Sequence, residues 1–168
     1  MTRILARPAV LLALFAADRL TKLWALDRLA PMGGIPLLPF FHLTYVENTG
    51  AAFGMLAGAP TIWRQVFFVG VALAALGVLV YSYRQFREQG RIFAHAIGLI
   101  AGGAVGNLID RLRFGAVVDF LDFYVGTHHW PAFNVADSAI TIGVGLFILG
   151  SILSPGEDSE KLKAKNKK

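Results

Sequence analysis

The chain of 168 residues contains no cysteine, which excludes disulfide bonds and thiolate chemistry. Charged residues are scarce, at 16% of the chain, whereas a soluble domain carries about a quarter. The sequence has no His-Glu-x-x-His pattern, and its four histidines are scattered, so a metal centre is not indicated. Gly-x-Ser-x-Gly and an ordered Ser, His and Asp set are also missing, so nothing indicates a serine hydrolase.

What the chain has in abundance is apolar sequence, with 55% hydrophobic residues and a mean hydropathy of +0.57. Four stretches are long enough to cross a bilayer, which takes about 20 apolar residues. They run over 8–26, 62–83, 92–112 and 135–153. The first is not a cleavable signal peptide, because charged residues lie inside it and no small-residue cleavage site follows it. We therefore expect one polytopic membrane domain over 1–154 and a basic, disordered cytoplasmic tail over 155–168.

The net charge of +5 follows the pattern of a membrane protein, and we expect no nucleic-acid partner. Arg and Lys precede the first span, fill the short loop between the second and third, and end the chain. The other two loops are long, aromatic and poor in Lys. Because positive residues mark the cytoplasmic side, both termini should be cytoplasmic and the long loops outside. The basic tail would then lie against anionic lipid.

Two segments outside the spans resemble strands. Residues 40–46 are rich in aromatic and β-branched side chains, and residues 116–125 follow the third span. We therefore expect a membrane α-helical fold, a bundle of four transmembrane helices with a small β-sheet or cradle on the outer (periplasmic) face. Small residues at four-residue spacing in the third span predict a seam of close helix packing. The glycines concerned are Gly98, Gly102 and Gly106, with Gly103 beside them.

Several polar residues lie within the apolar stretches, where they are costly. Asp18 and Lys22 have the spacing of a favourable helix pair, which we interpret as structural, with Lys22 snorkelling toward the interface. Beside this structural role, contact of Lys22 with substrate or a lipid headgroup stays open. Asn107 predicts an interhelical hydrogen bond. Asp110 and Arg111 have the simple interpretation of an ion pair ending the helix, and Arg111 shares a helix face with Asn107.

Two aspartates at the edges of predicted spans are the leading candidates for chemistry. Asp119 lies in an apolar run that should raise its pKa by desolvation. Asp137 and Asn134 have a simpler explanation as the first turn and N-cap of the fourth span. Two converging carboxylates would share one proton, and could take a proton from water and give one to a leaving amine. Asp122 is the rival of Asp119, but on a strand the two would face oppositely, and we favour Asp119.

Five motifs resemble those of bacterial lipoprotein signal peptidase (signal peptidase II), and the resemblance runs from residue 10 to residue 153. The motifs are Asp18-Arg19-Leu20-Thr21-Lys22, Asn48-Thr49-Gly50-Ala51-Ala52-Phe53, Gly102 to Arg111, Gly115 to Phe120 and Phe133 to Ser138. The resemblance implies an inner-membrane aspartyl endopeptidase that removes signal peptides from lipidated prolipoproteins, cutting just before the diacylglyceryl-modified Cys.

The same resemblance implies that Asp119 and Asp137 are the catalytic dyad. It implies supporting or substrate-binding roles for further polar residues, namely Asp18, Lys22, Asn48, Asn107, Arg111 and Asn134. For Asn48 the residues alone predict only a turn. We expect no cofactor and no metal, prolipoproteins and membrane lipids as partners, and a monomer.

Other classes of function stay open on the residues alone. A small ion or proton transporter would also hold Asp, Arg and Asn inside a bundle, but would more often show a repeat and broken helices near the midplane. A purely structural four-span protein would explain the glycines but not two carboxylates at the span edges. We interpret His95 as a satisfied bundle residue, and His128-His129 as part of a wet interfacial loop and not a zinc site.

Overall fold

A computed structural model describes residues 2–51, 55, 56, 58, 61–86 and 90–153. In these residues the chain forms four α-helices and four β-strands. They are α1 (Thr2–Arg28), β1 (Ile35–Leu38), β2 (Phe41–Asn48), α2 (Ile62–Phe86), α3 (Arg91–Phe114), β3 (Val117–Val125), β4 (His128–His129) and α4 (Val135–Leu153). Each of the four predicted apolar stretches is therefore helical. Phe53 and the basic tail over 155–168 lie outside the described residues.

Within the described part of the chain, three helices are long and apolar enough to cross a membrane, namely α2, α3 and α4. Their most apolar windows have mean hydropathies of 2.2, 1.8 and 1.9. The first helix, α1, is 27 residues long and so has the length of a span, but charged residues interrupt its apolar sequence. Its crossing of the membrane stays a prediction.

The predicted glycine seam is confirmed at two positions of α3. A Cβ at Gly103 would collide with the carbonyl oxygen of Ala136 in α4, and one at Gly106 would lie 2.5 Å from Asp18 Oδ2 in α1. Gly143 of α4 meets α3 in the same manner, since its Cβ would lie 2.8 Å from Ala96 O. These close approaches set α3 between α1 and α4 and bring polar residues of the three helices together.

The strands form one antiparallel sheet in the order β1-β2-β3-β4. Strands β2 and β3 confirm the predicted strand-like segments, whereas the short β1 and β4 were not predicted. One face of β3 packs on the C-terminal end of α1, where Val118 and Phe120 join Ala25 and Leu29 in a buried apolar cluster. Since side chains alternate along a strand, Asp119 points to the opposite face.

Two local features bring β3 beside the start of α4. Gly115 caps α3 in the left-handed region, at φ 71°, with its N–H donated to Arg111 O, and the chain turns directly into β3. Further along, Phe133 pairs with β3, because its carbonyl accepts from Leu121 N at 2.8 Å and its N–H donates to Leu121 O at 3.0 Å. Helix α4 begins two residues later, so β3 and the N-terminus of α4 share one edge of the molecule.

Candidate active site

Asp119 and Asp137 line the same cavity, which has a volume of about 820 Å³. Asn134 joins them, because its Nδ2 donates to Asp119 Oδ1 at 2.7 Å and its backbone N–H donates to Asp137 Oδ2 at 3.2 Å. The two carboxylates therefore converge on the fully buried Asn134. Two acids held in one cavity can exchange protons with a bound water and a substrate.

The capping explanation of Asn134 and Asp137 is also confirmed. Asp137 N donates to Asn134 Oδ1 at 2.9 Å, and Asn134 N returns a hydrogen bond to Asp137 Oδ2. This reciprocal pair is a capping box at the start of α4. Capping and convergence with Asp119 are compatible, since Asn134 uses its side-chain oxygen for the helix and its side-chain nitrogen for Asp119.

The carboxylate of Asp119 is 2% exposed and receives two amide donors. Besides Asn134, Asn48 Nδ2 of β2 donates to Asp119 Oδ2 at 3.0 Å, while Asn48 Oδ1 accepts from Gly50 N in the predicted turn. Burial, aided by the charge of Asp137, raises the pKa of Asp119 from its ordinary value of 3.8 to about 7. The predicted direction is confirmed, so this acid can be protonated or ionised near neutral pH.

Asn107 forms the interhelical hydrogen bonds that its position predicted. Its Nδ2 donates to Asp137 Oδ1 at 2.7 Å, which links α3 to α4. Its Oδ1 accepts from Lys22 Nζ of α1 at 2.8 Å and from Asn134 Nδ2 at 3.3 Å. Asn107 thus connects the cavity to a charged cluster behind it.

Arg111 lies one turn beyond Asn107 and also lines the cavity, as their shared helix face predicted. Its Nη2 donates to Gly50 O at 2.9 Å, and its Cζ lies 5.0 Å from the centroid of the Phe68 ring. The predicted ion pair of Arg111 with Asp110 is wrong. Adjacent residues point about 100° apart around a helix, so Asp110 faces α1 while Arg111 faces the cavity.

Residues 10–153 match the sequence model of the family described as signal peptidase (SPase) II, which is most of the chain. The chain belongs to the signal peptidase II family. It is 50% identical to a lipoprotein signal peptidase of Syntrophotalea carbinolica over 135 residues, covering 80% of this chain and 83% of that one. It is 47% identical to a lipoprotein signal peptidase of Shewanella pealeana over 152 residues, covering 90% and 88%.

A solved structure described as a bacterial membrane enzyme has a similar fold, with a TM-score of 0.76 and 32% sequence identity. The match covers 89% of this chain and 94% of that chain. The family consists of aspartic peptidases of the bacterial membrane, so this signal peptidase II is an aspartic peptidase and a membrane enzyme. The three apolar helices agree with that assignment.

Behind the cavity, this signal peptidase II holds a buried ionic cluster. Lys22 Nζ lies 3.1 Å from Asp18 Oδ2 and 2.9 Å from Asp110 Oδ2, and Arg19 pairs with the other oxygen of Asp110. The pairing of Asp18 with Lys22 is therefore confirmed. Snorkelling of Lys22 toward the interface is wrong, because Lys22 is 2% exposed and its ammonium is directed at Asp18, Asp110 and Asn107.

The cluster also binds backbone groups of the elements that carry the dyad. Asp18 Oδ1 accepts from Ala136 N at 3.1 Å, in the first turn of α4. Asp110 Oδ2 accepts from Val118 N at 3.4 Å, immediately before Asp119. Asp18 and Asp110 therefore act on the position of the dyad through the backbone, and neither lines the cavity in the described residues.

Asp122, the rival of Asp119, lies on the opposite face of β3 and does not line the cavity. His129 Nδ1 lies 2.9 Å from Asp122 Oδ2, and His42 Nδ1 lies 4.0 Å from the same oxygen. In the described part of the chain, no group of three or more His, Cys, Asp or Glu residues is arranged to hold a metal ion.

The interpretation of His95 as a bundle residue is wrong. Its side chain is exposed, and its Nδ1 lies 2.7 Å from Arg91 O of the same helix. The neighbouring Ala94, Ala96 and Ile97 form the buried face of α3 instead. The ring is therefore satisfied within α3 itself.

Sequence reasoning missed three residues that contact the polar site. Arg19 was identifiable in principle, because it is a charged residue inside an apolar stretch and needs a partner there. Gln65 and Phe68 of α2 contact Arg111 through its backbone and its guanidinium. Their local sequence gave no sign of this role, because an amide and an aromatic ring near a span end are common at interfaces.

Proposed function

We propose that this chain is an intramembrane aspartyl endopeptidase that removes signal peptides from diacylglyceryl-modified prolipoproteins, cleaving just before the lipidated Cys. Its curated relatives are named lipoprotein signal peptidases, which supports prolipoproteins as the substrates. The observation that carries the proposal is the convergence of Asp119 and Asp137 on one cavity through Asn134.

The chemistry follows from two carboxyl groups that share one proton. The ionised acid takes a proton from a water molecule, whose oxygen attacks the scissile carbonyl carbon, while the protonated acid hydrogen-bonds the carbonyl oxygen. The tetrahedral intermediate then collapses as the C–N bond breaks and a proton passes to the leaving amine. A pKa of about 7 for Asp119 supports this sharing, because about half of the molecules then carry a proton on Asp119 at neutral pH.

Four polar side chains would hold the reacting groups. Asn134, Asn48 and Asn107 donate to the two carboxylates, and so fix the direction of the oxygens that face the cavity. Arg111 would bind the substrate backbone, since it is the cationic residue among the described residues that line the cavity. The segment from Asn48 to Gly50, tied to Arg111 through Gly50 O, would cover the scissile bond.

The membrane arrangement that we propose has four spans, including α1, with both termini cytoplasmic and the sheet on the outer face. The signal helix would enter laterally between spans, while the acyl chains remain in lipid. The cavity supports this route, since its wall includes Ile142 of α4, whose side chain is 57% exposed on an apolar helix. We further propose a monomer whose basic tail lies on anionic lipid.

Cleavage of a diacylglyceryl-modified prolipoprotein in detergent tests this function. We expect wild type and Asp122→Asn to cleave, Asp119→Asn and Asp137→Asn not to cleave, and the unlipidated precursor to remain intact. Asp122→Asn is the matched control, because it changes an acid of the same strand that does not reach the cavity. Full turnover by either dyad variant would exclude the dyad, and an inactive wild type with a normal unfolding transition would exclude the function.

A further inference from the structure

Helix α2 makes a contact with the active-site arginine that is unlike the rest of its surface. Most of its side chains are exposed or half-buried, as suits a helix facing lipid, and Phe68 is its one buried residue, at 9% exposure. The Phe68 ring lies against the guanidinium of Arg111, with 5.0 Å between Cζ and the ring centroid. This distance is within the range of a cation–π interaction, which is about 6 Å.

Gln65, three residues earlier on the same face of α2, makes a second contact to Arg111. Its Nε2 donates to Arg111 O at 2.9 Å. This carbonyl lies in the last turn of α3, where it also accepts from Gly115 N at 3.0 Å. Helix α2 therefore holds Arg111 at its backbone through Gln65 and at its cationic end through Phe68.

The guanidinium is otherwise sparsely bound. In the described residues it makes one hydrogen bond, from Nη2 to Gly50 O at 2.9 Å, and no carboxylate lies within 4.0 Å of it. A guanidinium has five N–H donors in a fixed plane. Among the described residues one of them is used, by Gly50 O, and Arg111 lines the cavity, so the other donors are available to a bound substrate. Asp137 and Asp119 attract the guanidinium through space, but no carboxylate of the described residues touches it. The ring of Phe68 and the oxygen of Gly50 are therefore the direct contacts that orient its donors.

We propose that Phe68 and Gln65 are positioning residues for cleavage. They hold the Arg111 guanidinium in place at the cavity wall, so that its remaining N–H groups meet the carbonyl oxygens of the bound peptide. The aromatic face, and not merely the volume of the side chain, is the feature that cleavage requires. This inference rests on the proposed function, and it adds two residues of α2 to a site otherwise built from α1, α3, α4 and the sheet.

Replacement of Phe68 by leucine tests the aromatic face, because leucine keeps an apolar side chain and loses the ring. We expect Phe68→Leu to lower kcat/KM by about ten-fold, with most of the loss in kcat, since misdirected donors no longer hold the bound peptide in line with the dyad. Phe68→Tyr retains the ring and should recover most of the activity. In an Arg111→Gln background, Phe68→Leu should change kcat/KM by less than about two-fold, because the cation that it orients is absent.

Phe114→Leu is the matched control. It removes a second cation–π contact, in which Arg113 Cζ lies 5.3 Å from the ring centroid, on an exposed part of α3 that does not line the cavity. This variant should cleave at the wild-type rate.

Gln65→Met tests the same idea without disturbing the ring. It keeps the length of the side chain and removes the donor, and we expect lower kcat at an unchanged unfolding midpoint in detergent.

The outcomes separate this inference from the proposed function. If wild type cleaves while Phe68→Leu and Gln65→Met match it, the inference is wrong and the proposed function stands. Equal losses from Phe68→Leu in the Arg111 and Arg111→Gln backgrounds would also overturn it, because Phe68 would then act by another route. If wild type, with its dyad intact, cleaves no lipidated substrate, the proposed function and the inference are both overturned.

Discussion

Replacement of Asn48 by alanine is expected to move the pH dependence of cleavage without abolishing it. Asn48 Nδ2 donates to Asp119 Oδ2 at 3.0 Å and so stabilises the charged form of that acid. Loss of this donor raises the pKa of Asp119 above its value of about 7. Because one proton must stay on the dyad, the fall in rate at alkaline pH should begin at a higher pH in the variant.

The size of the shift follows from the strength of the lost hydrogen bond. A hydrogen bond to a charged group contributes about 1.5–3 kcal/mol, and one pKa unit corresponds to about 1.4 kcal/mol. Asn48 is only half-buried, so water replaces part of the loss, and we expect a shift of about one unit. At about pH 8, wild type should then keep about a tenth of its acid-plateau rate, and Asn48→Ala about a half.

The assay is kcat/KM for a lipidated prolipoprotein from about pH 5 to about pH 9, each variant being normalised to its own acid plateau. Normalisation removes any uniform loss caused by the second role of Asn48, which accepts from Gly50 N. Thr49→Ala is the control, because the Thr49 hydroxyl donates to Gly58 O, whereas the side-chain donors to Asp119 in the described residues are Asn48 and Asn134. An alkaline limb at the same pH in Asn48→Ala and wild type would refute the reasoning, as would a limb displaced to lower pH.

Three further predictions concern stability, measured by unfolding in detergent. The pKa of Asp119 is raised from 3.8 to about 7 in the folded protein. The stability that its protonated form contributes is therefore complete below a pH of about 3.8 and is lost as the pH rises through about 7. The unfolding free energy of wild type should therefore fall by about 3 kcal/mol relative to Asp119→Asn between about pH 5 and about pH 8. Lys22→Met leaves buried carboxylates such as Asp18 without their cation and should cost about 3–5 kcal/mol. Gly106→Ala places a methyl group 2.5 Å from Asp18 Oδ2 and should cost about 1–3 kcal/mol, whereas Gly145→Ala, with open space around its Cβ, should cost little.

Each of these has an outcome that contradicts it. A difference between Asp119→Asn and wild type that is constant with pH would mean that Asp119 titrates alike in folded and unfolded chains. A Lys22→Met protein as stable as wild type would mean that the cluster is solvated and not buried. If Gly145→Ala destabilised as much as Gly106→Ala, close contact at the seam would not be the cause.

The sequence predicted the elements and the leading site residues because local chemistry determines both. Apolar stretches of about 20 residues identified the helices, and aromatic and β-branched runs identified β2 and β3. Asn134 and Asp137 were interpretable as an N-cap pair from their spacing alone, and the capping box confirms it. Strand alternation allowed only one of Asp119 and Asp122 to face the site, and Asp119 was preferred because Asp122 lies nearer the exposed loop. Of these two acids, Asp119 lines the cavity.

The i,i+4 pair of Asp18 and Lys22 was predictable within one helix, but partners on other elements were not, because they depend on which helix faces which. Asp110 was paired with its neighbour Arg111, yet its partner Arg19 is 91 residues away in sequence. The same limit applies to Asn48, whose contact to Asp119 spans 71 residues and depends on the register of β2 against β3. Helical or strand periodicity gives the face of a residue but not the element that packs on it.

The buried cluster explains why a cation that never reaches the cavity is part of the active-site architecture. The ammonium of Lys22 can only donate, so the side chain of Asn107 must present its oxygen to Lys22, at 2.8 Å. The amide nitrogen of Asn107 is then directed at Asp137 Oδ1, at 2.7 Å. If the amide were reversed, its oxygen would face the carboxylate and its nitrogen the ammonium, and both contacts would be repulsive. Lys22 therefore fixes the orientation of the Asn107 amide. The hydrogen-bond donor that Asp137 receives is thus determined by the ionic cluster behind the cavity.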